Sequence, residues 1–255
     1  MIRGIAFDLF DTLVDQNHER LAPIEIEGGR RVGATTPALH GVVVEEVGAS
    51  ISLLEFADIL RAVDEELRVD TIDRGIELSS FDRFSALATR LGCRDVILVA
   101  KALTDAHMGI LHDAVTVPSH HEAILTALAV DYSLALCSNF SHAETVRAIL
   151  RRARFDKYLA PIVISEEIGF RKPRVEIFEA VATSFGFAPS EILHVGDKLR
   201  ADVAGAAASG MRTCWLTRRV EDPERELERF EGPQPDFALE DLRDLPVLVA
   251  RLNVS

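Results

Sequence analysis

The 255-residue chain is 48% apolar and 27% charged, a composition typical of globular proteins that bury a sizeable core. Disordered, collagen-like and coiled-coil chains are therefore excluded. Acidic residues outnumber Lys and Arg by 41 to 28, and the resulting formal net charge of −13 argues against a dedicated binder of nucleic acid or of anionic membranes.

The sequence carries no sign of a secretory leader or a membrane anchor. Asp8 interrupts the apolar start of the chain too early for a signal peptide, and no apolar run approaches the roughly 18 residues of a membrane helix. The three cysteines, Cys93, Cys137 and Cys214, contain no CxxC pair, which favours a reducing compartment over a disulfide framework or a zinc ribbon. We therefore expect a cytoplasmic protein.

The first part of the chain combines one strand with a long helical segment. Residues 2–7 form an apolar run that ends in polar residues, as buried strands do. The predicted helices share an apolar face of helical period and cover residues 53–67, 81–91 and 95–111. Ser52 and Glu55 are typical of a capping box at the first of them. Residues 42–44 are compatible with a strand but too short to assign.

After Pro118 predicted strands alternate with predicted helices. The strands are expected at 133–137, 161–164, 192–195 and 212–216, and the helices at 120–130, 141–152, 174–185 and 201–209. Ser141 and Glu144 form a second predicted capping box. This alternation predicts βαβ units and a parallel sheet covered on both faces. Because the first strand belongs with this half, we expect an α/β fold into which the helical segment is inserted.

Polar side chains follow four of the predicted strands. They are Asp8, Ser138, Asn139, Lys172, Asp197 and Asp202. Because ligands of an open parallel sheet bind beyond the carboxyl ends of its strands, we expect these side chains to share one crevice. Carboxylate and carbonyl oxygens suit Mg²⁺, and a further carboxylate can act as a nucleophile at phosphorus. Lysine and hydroxyl groups would then stabilise the charge of the transferred group.

Four motifs in this order resemble those of the haloacid dehalogenase-like hydrolases. They are FDLFDTLVD (7–15), LCSN (136–139), RKP (171–173) and HVGDKLRADVAGA (194–206). The resemblance implies a Rossmann-like parallel-sheet core formed by residues 1–15 and 114–255. It further implies that residues 16–113 form an inserted helical cap domain.

The resemblance also implies roles for individual residues. Asp8 corresponds to the nucleophile, and Lys172 to the residue that stabilises the charge of the nucleophile and of the transferred group. Asp8, the backbone carbonyl of Phe10 and Asp197 correspond to Mg²⁺ ligands, and Asp202 to the acidic residue that supports the metal site.

The remaining motif residues are implied to bind the substrate. Ser138 and Asn139 would hold the transferred group, and Thr12 would brace the first loop. The function implied is Mg²⁺-dependent hydrolysis of a small phosphorylated metabolite through an aspartyl-phosphate intermediate. No heptad or interface signature predicts an oligomeric state.

One position departs from the phosphatase pattern. Phosphatases of the family carry a second Asp two residues after the nucleophile as general acid, and this chain has Phe10 there. Asp11 is expected to point to the other face of an extended segment. Members that act on haloacids have an aromatic Tyr at this position, so a metal-independent 2-haloacid dehalogenase is an alternative, as is a non-catalytic member that binds phosphate. Asp197 and Asp202 match the metal-binding form of the fourth motif and favour the phosphatase.

Among the histidines considered as metal ligands, His107 and His112 lack the sequence spacing of such ligands. His120 and His121 lie at the start of a predicted helix, flanked by Ser119 and Glu122, which favours a capping or surface role over zinc binding. His194 precedes the fourth motif within a predicted strand, where packing is the expected role.

Overall fold

The computed structural model describes residues 1–47 and 50–254. Gly48, Ala49 and Ser255 lie outside these residues. The chain divides into two compact units. Met1–Asp15 and the chain from Thr116 onward form the core unit, and Gln16–Val115 form the helical unit.

The chain starts in the core unit with β1 (Gly4–Phe7) and then enters the helical unit. The strands met on the way are β2 (Asp15–Gln16), β3 (Ile24–Ile26) and β4 (Arg30–Val32), of which the last two pair antiparallel. Four helices follow, α1 (Thr36–Val47), α2 (Leu53–Asp70), α3 (Ser80–Arg90) and α4 (Val96–Asp113).

The apolar faces of the helices in the helical unit pack into one cluster. Phe56, Phe84 and Leu103 are fully buried in this cluster. The Ser52 half of the predicted capping box of α2 is confirmed, because the Ser52 hydroxyl accepts a hydrogen bond from the Glu55 N–H at 3.2 Å. A strand at residues 42–44 is wrong, since these residues belong to α1, whose length and packing outweigh the β-propensity of three valines.

The chain returns through β5 (Val115–Thr116), which pairs with β2. The remaining elements are α5 (His121–Leu128), β6 (Ser133–Ser138), α6 (Ala143–Ala153), β7 (Leu159–Ile164), α7 (Ser165–Ile168), α8 (Val175–Phe185), β8 (Ile192–Gly196), α9 (Gly205–Ala208), β9 (Arg212–Leu216), α10 (Pro223–Glu228), β10 (Phe237–Leu239) and α11 (Leu245–Val254). Among the described residues, no helix has both the length and the hydropathy needed to cross a membrane.

Six strands of the core unit form one parallel sheet in the order β10-β9-β8-β1-β6-β7. Phe7 at the end of β1 lies opposite Leu136 of β6 and Val195 of β8. The sheet therefore extends in one direction through β6 and in the other through β8, and the strand order switches at β1. Such a switch point is where open parallel sheets bind ligands. The arrangement confirms the predicted α/β class.

One predicted helix start is wrong. The helix expected from residue 141 begins at Ala143, after the N-cap residue His142, whose side chain makes no cap hydrogen bond. The capping box of Ser141 and Glu144 stays a prediction. The Ala143 N–H donates to the carboxylate of Glu166, which α7 supplies from the neighbouring connection. A capping partner 23 residues away leaves no local signature in the sequence.

Candidate active site

The residues that follow Asp8 form a tight turn at the end of β1. Asp11 has a φ of 57°, and its N–H donates to the Val14 carbonyl at 2.6 Å. A non-glycine residue in the left-handed region is uncommon, and the short Asp side chain tolerates it better than most. The Asp11 carboxylate faces Arg219 at 3.7 Å. The turn leaves Asp8 at the carboxyl end of the central strand.

A buried lysine joins two of the predicted carboxylates. Lys172 Nζ lies 2.7 Å from Asp8 Oδ1 and 2.6 Å from Asp202 Oδ1, and the lysine is only 4% exposed. Burying these charges costs several kcal/mol per ion, so the arrangement depends on pairing and on full hydrogen bonding. The sheet brings together residues separated by 164 and 30 positions in the chain.

Asp202 is held on all sides. Its Oδ1 also accepts from His194 Nε2 at 2.9 Å, and its Oδ2 accepts from the Lys198 N–H at 3.0 Å. The carboxylate packs so close to Gly196 that a Cβ on this glycine would lie 2.2 Å from Asp202 Cγ. Glycine is therefore required at the end of β8 for the approach of Asp202.

Asn139 positions the lysine through its backbone. Asn139 Oδ1 accepts from the Lys172 N–H at 2.7 Å, and Asn139 Nδ2 donates to the Lys172 carbonyl at 3.0 Å. This pair of bonds ties the end of β6 to the loop after α7. Direct contact between Asn139 and a transferred group stays a prediction.

The electrostatics of the cluster follow from burial. Burial raises the pKa of Asp8 to about 7, although Lys172 opposes the rise. Burial likewise raises the pKa of Asp197 to about 6, against the pull of Lys198, whose Nζ lies 2.7 Å from Asp197 Oδ2. Burial disfavours charge on Asp202 too, but Lys172 and His194 outweigh it and hold the pKa of Asp202 well below its usual range.

Three carboxylates of the cluster have the spacing of a cation site. One oxygen from each of Asp8, Asp197 and Asp202 lies within 4.8 Å of the others. The hydrogen bonds to both oxygens of Asp202 suit a supporting position, whereas Asp8 and Asp197 are the better direct ligands. Three carboxylates share a single buried ammonium group, and burial raises the pKa of Asp8 and of Asp197. A hard divalent cation such as Mg²⁺ fits this donor set.

Two hydroxyl groups of the motifs are buried without a protein partner. Thr12 Oγ1 and Ser138 Oγ make no hydrogen bond within the described part of the chain, although both residues are fully buried. Buried hydroxyls are normally paired, so these two are suited to a ligand's oxygens. Phe10 is half-buried and packs against Phe140 with ring centroids 5.0 Å apart. An aromatic pair thus occupies the position at which phosphatases of the family carry their general acid.

The sequence reasoning missed two members of the cluster. His194, expected only to pack, donates to Asp202, and Lys198 pairs with Asp197. The sequence did contain a signal for His194. It lies two residues before Gly196 in a strand, and residues two apart point to the same face of the sheet. Lys198 adjoins Asp197 directly, but adjacency alone predicts no ion pair.

The chain matches the family model described as haloacid dehalogenase-like hydrolase over residues 2–210. It is 27% identical to a glyceraldehyde 3-phosphate phosphatase from Pyrococcus furiosus over 267 residues, covering 100% of this chain and 95% of the relative. It is 28% identical to the pyrimidine 5'-nucleotidase YjjG of Escherichia coli over 195 residues, covering 75% and 81%. A solved 2-haloacid dehalogenase from Pseudomonas syringae pv. Tomato DC3000 superposes with a TM-score of 0.74 at 21% identity, covering 99% of this chain and 100% of that one.

A match over most of the chain, with four motifs in order and the expected sheet, defines the class of protein. The chain belongs to the haloacid dehalogenase-like hydrolases. It is therefore a hydrolase with a Rossmann-like α/β fold, as the motifs predicted, and its relatives include phosphatases.

Proposed function

We propose that this hydrolase is a Mg²⁺-dependent phosphatase of a small phosphorylated metabolite, with Asp8 as the nucleophile. The observation that carries the proposal is the contact of Asp8 with Lys172 at 2.7 Å inside the cluster that also holds Asp197 and Asp202. The names of the relatives, glyceraldehyde 3-phosphate phosphatase and pyrimidine 5'-nucleotidase, support phosphoester chemistry.

In the first step, one oxygen of Asp8 attacks phosphorus, and the bond between phosphorus and the ester oxygen breaks. The phosphoryl group is then bound to Asp8 as an acyl phosphate, and the leaving alcohol takes its proton from solvent, because Phe10 has none to give. In the second step, water attacks phosphorus, loses a proton to solvent, and the Asp8 carboxylate and inorganic phosphate separate.

The neighbours of Asp8 stabilise this chemistry. Burial opposes charge on Lys172, but Asp202 and Asp8 raise the pKa of Lys172 well above its usual range, so it stays protonated beside the nucleophile. It holds Asp8 in place and neutralises charge that the phosphoryl group brings into the site. Asp202, His194 and Asn139 act as positioning residues for this lysine.

Asp8, Asp197 and the backbone carbonyl of Phe10 would hold Mg²⁺, and Asp202 would support the site. When bound, the ion supplies the positive charge that the buried carboxylates and the phosphoryl oxygens require. The hydroxyls of Thr12 and Ser138 are the proposed partners of the phosphoryl oxygens.

The helical segment, residues 16–113, is the proposed cap. Its role would be to select the metabolite and to exclude water during the reaction. The strand-end motifs carry no information on that selection.

A second candidate function rests on Phe10. An aromatic residue at this position matches the haloacid-acting members, and in that reaction Asp8 would attack the carbon that bears the halogen. The carbon–halogen bond would break, halide would leave, and water would hydrolyse the resulting ester. That reaction needs neither a metal nor a general acid for the leaving group.

The experiment that separates these functions uses 4-nitrophenyl phosphate and 2-chloropropionate, each with Mg²⁺ or with EDTA. Nitrophenolate leaves without protonation, so the absence of a general acid does not hide activity. We expect hydrolysis of the phosphate ester that requires Mg²⁺ and disappears in Asp8→Asn. The matched control Asp15→Asn, which removes a carboxylate outside the cluster, should retain turnover.

Other outcomes point elsewhere. Halide release that persists in EDTA and requires Asp8 would replace the proposal with dehalogenation. Mg²⁺ binding without turnover of either substrate would mark a member that binds phosphate without catalysis.

A further inference from the structure

We propose that His120, His121 and Asp241 form a second metal site, one that takes a transition-metal ion of the Zn²⁺ class. One ligand atom from each of the three side chains lies within 4.8 Å of the other two. The histidines come from the start of α5, and Asp241 from the segment between β10 and α11. Two imidazoles and a carboxylate are a ligand set that Zn²⁺ accepts, whereas Mg²⁺ prefers oxygen alone.

The tautomer of His121 leaves a lone pair directed into buried space. His121 Nδ1 lies 2.8 Å from the carbonyl oxygen of Leu13, which only accepts, so Nδ1 carries the ring proton. The other ring nitrogen, Nε2, is then an acceptor, and it has no hydrogen-bond partner within the described residues although His121 is 0% exposed. A metal-binding histidine typically shows this pattern, with the far ring nitrogen donating to a backbone carbonyl.

His120 and Asp241 complete the site from the solvent side. His120 Nε2 lies 2.9 Å from Asp241 Oδ1. The ring centroids of His120 and His121 are 4.6 Å apart, with an interplanar angle of 79°. The Arg243 N–H and Nε also donate to Asp241 Oδ1, so among the described residues every hydrogen bond to this carboxylate falls on one oxygen. Oδ2 is therefore suited to a metal, and the His120 side chain, 34% exposed, gives an ion access.

The charges around the cluster allow a cation. Burial of the His121 ring favours its neutral form, and the Nδ1–H donation to the Leu13 carbonyl leaves Nε2 as the acceptor. Two positive groups lie near the cluster: Arg243, whose guanidinium pairs with Asp241 Oδ1 at 3.1 Å, and Arg218, whose guanidinium is bonded to both carboxylate oxygens of Asp15. Arg218 Nε is also buried without a partner among the described residues, so a water between it and His121 Nε2 is the rival arrangement.

Occupancy of this site would also fix the loop that carries the nucleophile. The Leu13 carbonyl that His121 binds belongs to the turn after β1, where the Leu13 N–H donates to Leu9 at 2.9 Å. A bound ion restrains His121 and through it this turn, so we expect Zn²⁺ to raise the melting temperature of the protein.

The test measures Zn²⁺ binding to the full chain by isothermal titration with Mg²⁺ in large excess, which occupies the acidic cluster. We expect one Zn²⁺ per chain that Asp197→Asn does not remove. His121→Asn keeps a side-chain N–H for the Leu13 carbonyl but lacks the second nitrogen, and it should weaken binding at least about 100-fold. His120→Ala and Asp241→Asn should act in the same direction and leave the fold intact, because both side chains are partly exposed.

His112→Ala is the matched control, since His112 also adjoins an aspartate, at 3.3 Å, but belongs to no three-ligand group of the described residues. This control should bind Zn²⁺ as the unaltered chain does. Co²⁺ in place of Zn²⁺ should give visible absorption bands that shift or vanish in His121→Asn. The absence of a Zn²⁺ equivalent in excess Mg²⁺, or its retention in His120→Ala and Asp241→Asn together with unchanged Co²⁺ bands, would overturn the proposal in favour of the bridging water.

Discussion

The two units of the molecule differ in how deeply their ion pairs are buried. The core unit buries one cluster of ionic groups at the strand ends, where the side chains of Lys172 and Asp202 are 2% and 1% exposed. The helical unit keeps its ion pairs nearer the surface, with the side chains of Arg30 and Asp58 37% and 45% exposed, and its interior holds an apolar cluster. Removing a charge from water lowers the stability of the folded state, whereas an exposed ion pair changes it little. The buried cluster of the core unit therefore carries a desolvation penalty that the exposed pairs of the helical unit do not.

The difference indicates where chemistry resides. A buried ion cluster that contributes little net stability is retained where it performs a task, and in the proposed function it would supply the nucleophile, a fixed cation and the Mg²⁺ ligands. The ion pairs of the helical unit contribute solubility and modest stability. Substitutions that probe the same interaction in both units test this contrast.

The largest effect is expected for removal of the buried lysine. Lys172→Met leaves Asp8 and Asp202 buried without their cation, and we expect a loss of about 3–5 kcal/mol of unfolding free energy in EDTA, with loss of turnover. Arg30→Met, which breaks the exposed pair with Asp58, should lower the unfolding free energy far less, because solvent screens that pair. Urea denaturation measures both, and equal costs in the two units would refute the contrast.

The same glycine-to-alanine change should have opposite signs in the two units. Gly196→Ala forces a methyl group to within 2.2 Å of Asp202 Cγ and should destabilise the core unit by about 3 kcal/mol. Gly41→Ala lies within α1, where a Cβ meets no atom within 4 Å, and should stabilise the helical unit by about 0.5–1 kcal/mol. Thermal unfolding of both variants checks the signs, and a stabilised Gly196→Ala would contradict the packing described for Asp202.

Restoring an acid at position 10 should sharpen the account of the active site. Phe10→Asp adds a proton donor two residues after Asp8, and we expect turnover of a simple alkyl phosphate to rise at least about 10-fold relative to 4-nitrophenyl phosphate. The ratio of the two rates is the measurement, since it cancels any general effect on the fold. An unchanged ratio would show that a general acid is not what the site lacks.

A smaller, pH-dependent effect is expected in the helical unit. Burial, with a contribution from Arg83, lowers the pKa of His107 to about 4, while its Nδ1 contacts Thr35 Oγ1 at 3.0 Å. The unfolded chain takes up this proton near pH 6.5 and the folded chain does not, so His107 reduces stability as pH falls from about 6.5 towards 4. In His107→Asn the pH slope of the unfolding free energy over this range should be lower by about 1 kcal/mol per pH unit. A slope equal to that of the unaltered chain would contradict the burial of His107.

The sequence predicted the site best where function follows backbone topology. Asp8 and Asp197 end adjacent parallel strands, so recognising the strands was enough to bring them together. The clamp of Asn139 on Lys172 depends on how two loops meet, which no periodic pattern records. The contact between His120 and Asp241, 121 positions apart, is of the same kind.

Helix boundaries show the same limit. The cap of α2 is local to Ser52 and Glu55 and was predictable from the sequence. The cap of α6 comes from Glu166, which the chain supplies only after another strand has formed, and was not predictable. Local chemistry was therefore readable from residue order, and long-range contacts required the fold.

The most direct test of the central claim is a rapid-quench measurement of the covalent step. The second step requires water to lose a proton, and Phe10 supplies no base for it, so the phosphorylated form of Asp8 should accumulate when nitrophenolate leaves quickly. Mixing the Mg²⁺-loaded protein with excess 4-nitrophenyl phosphate should give a burst of about one nitrophenolate per chain. Mass spectrometry should place an acid-stable phosphoryl group on Asp8, and Asp8→Asn should show neither signal. Turnover that continues in Asp8→Asn, or a phosphoryl group on another residue, would contradict the account.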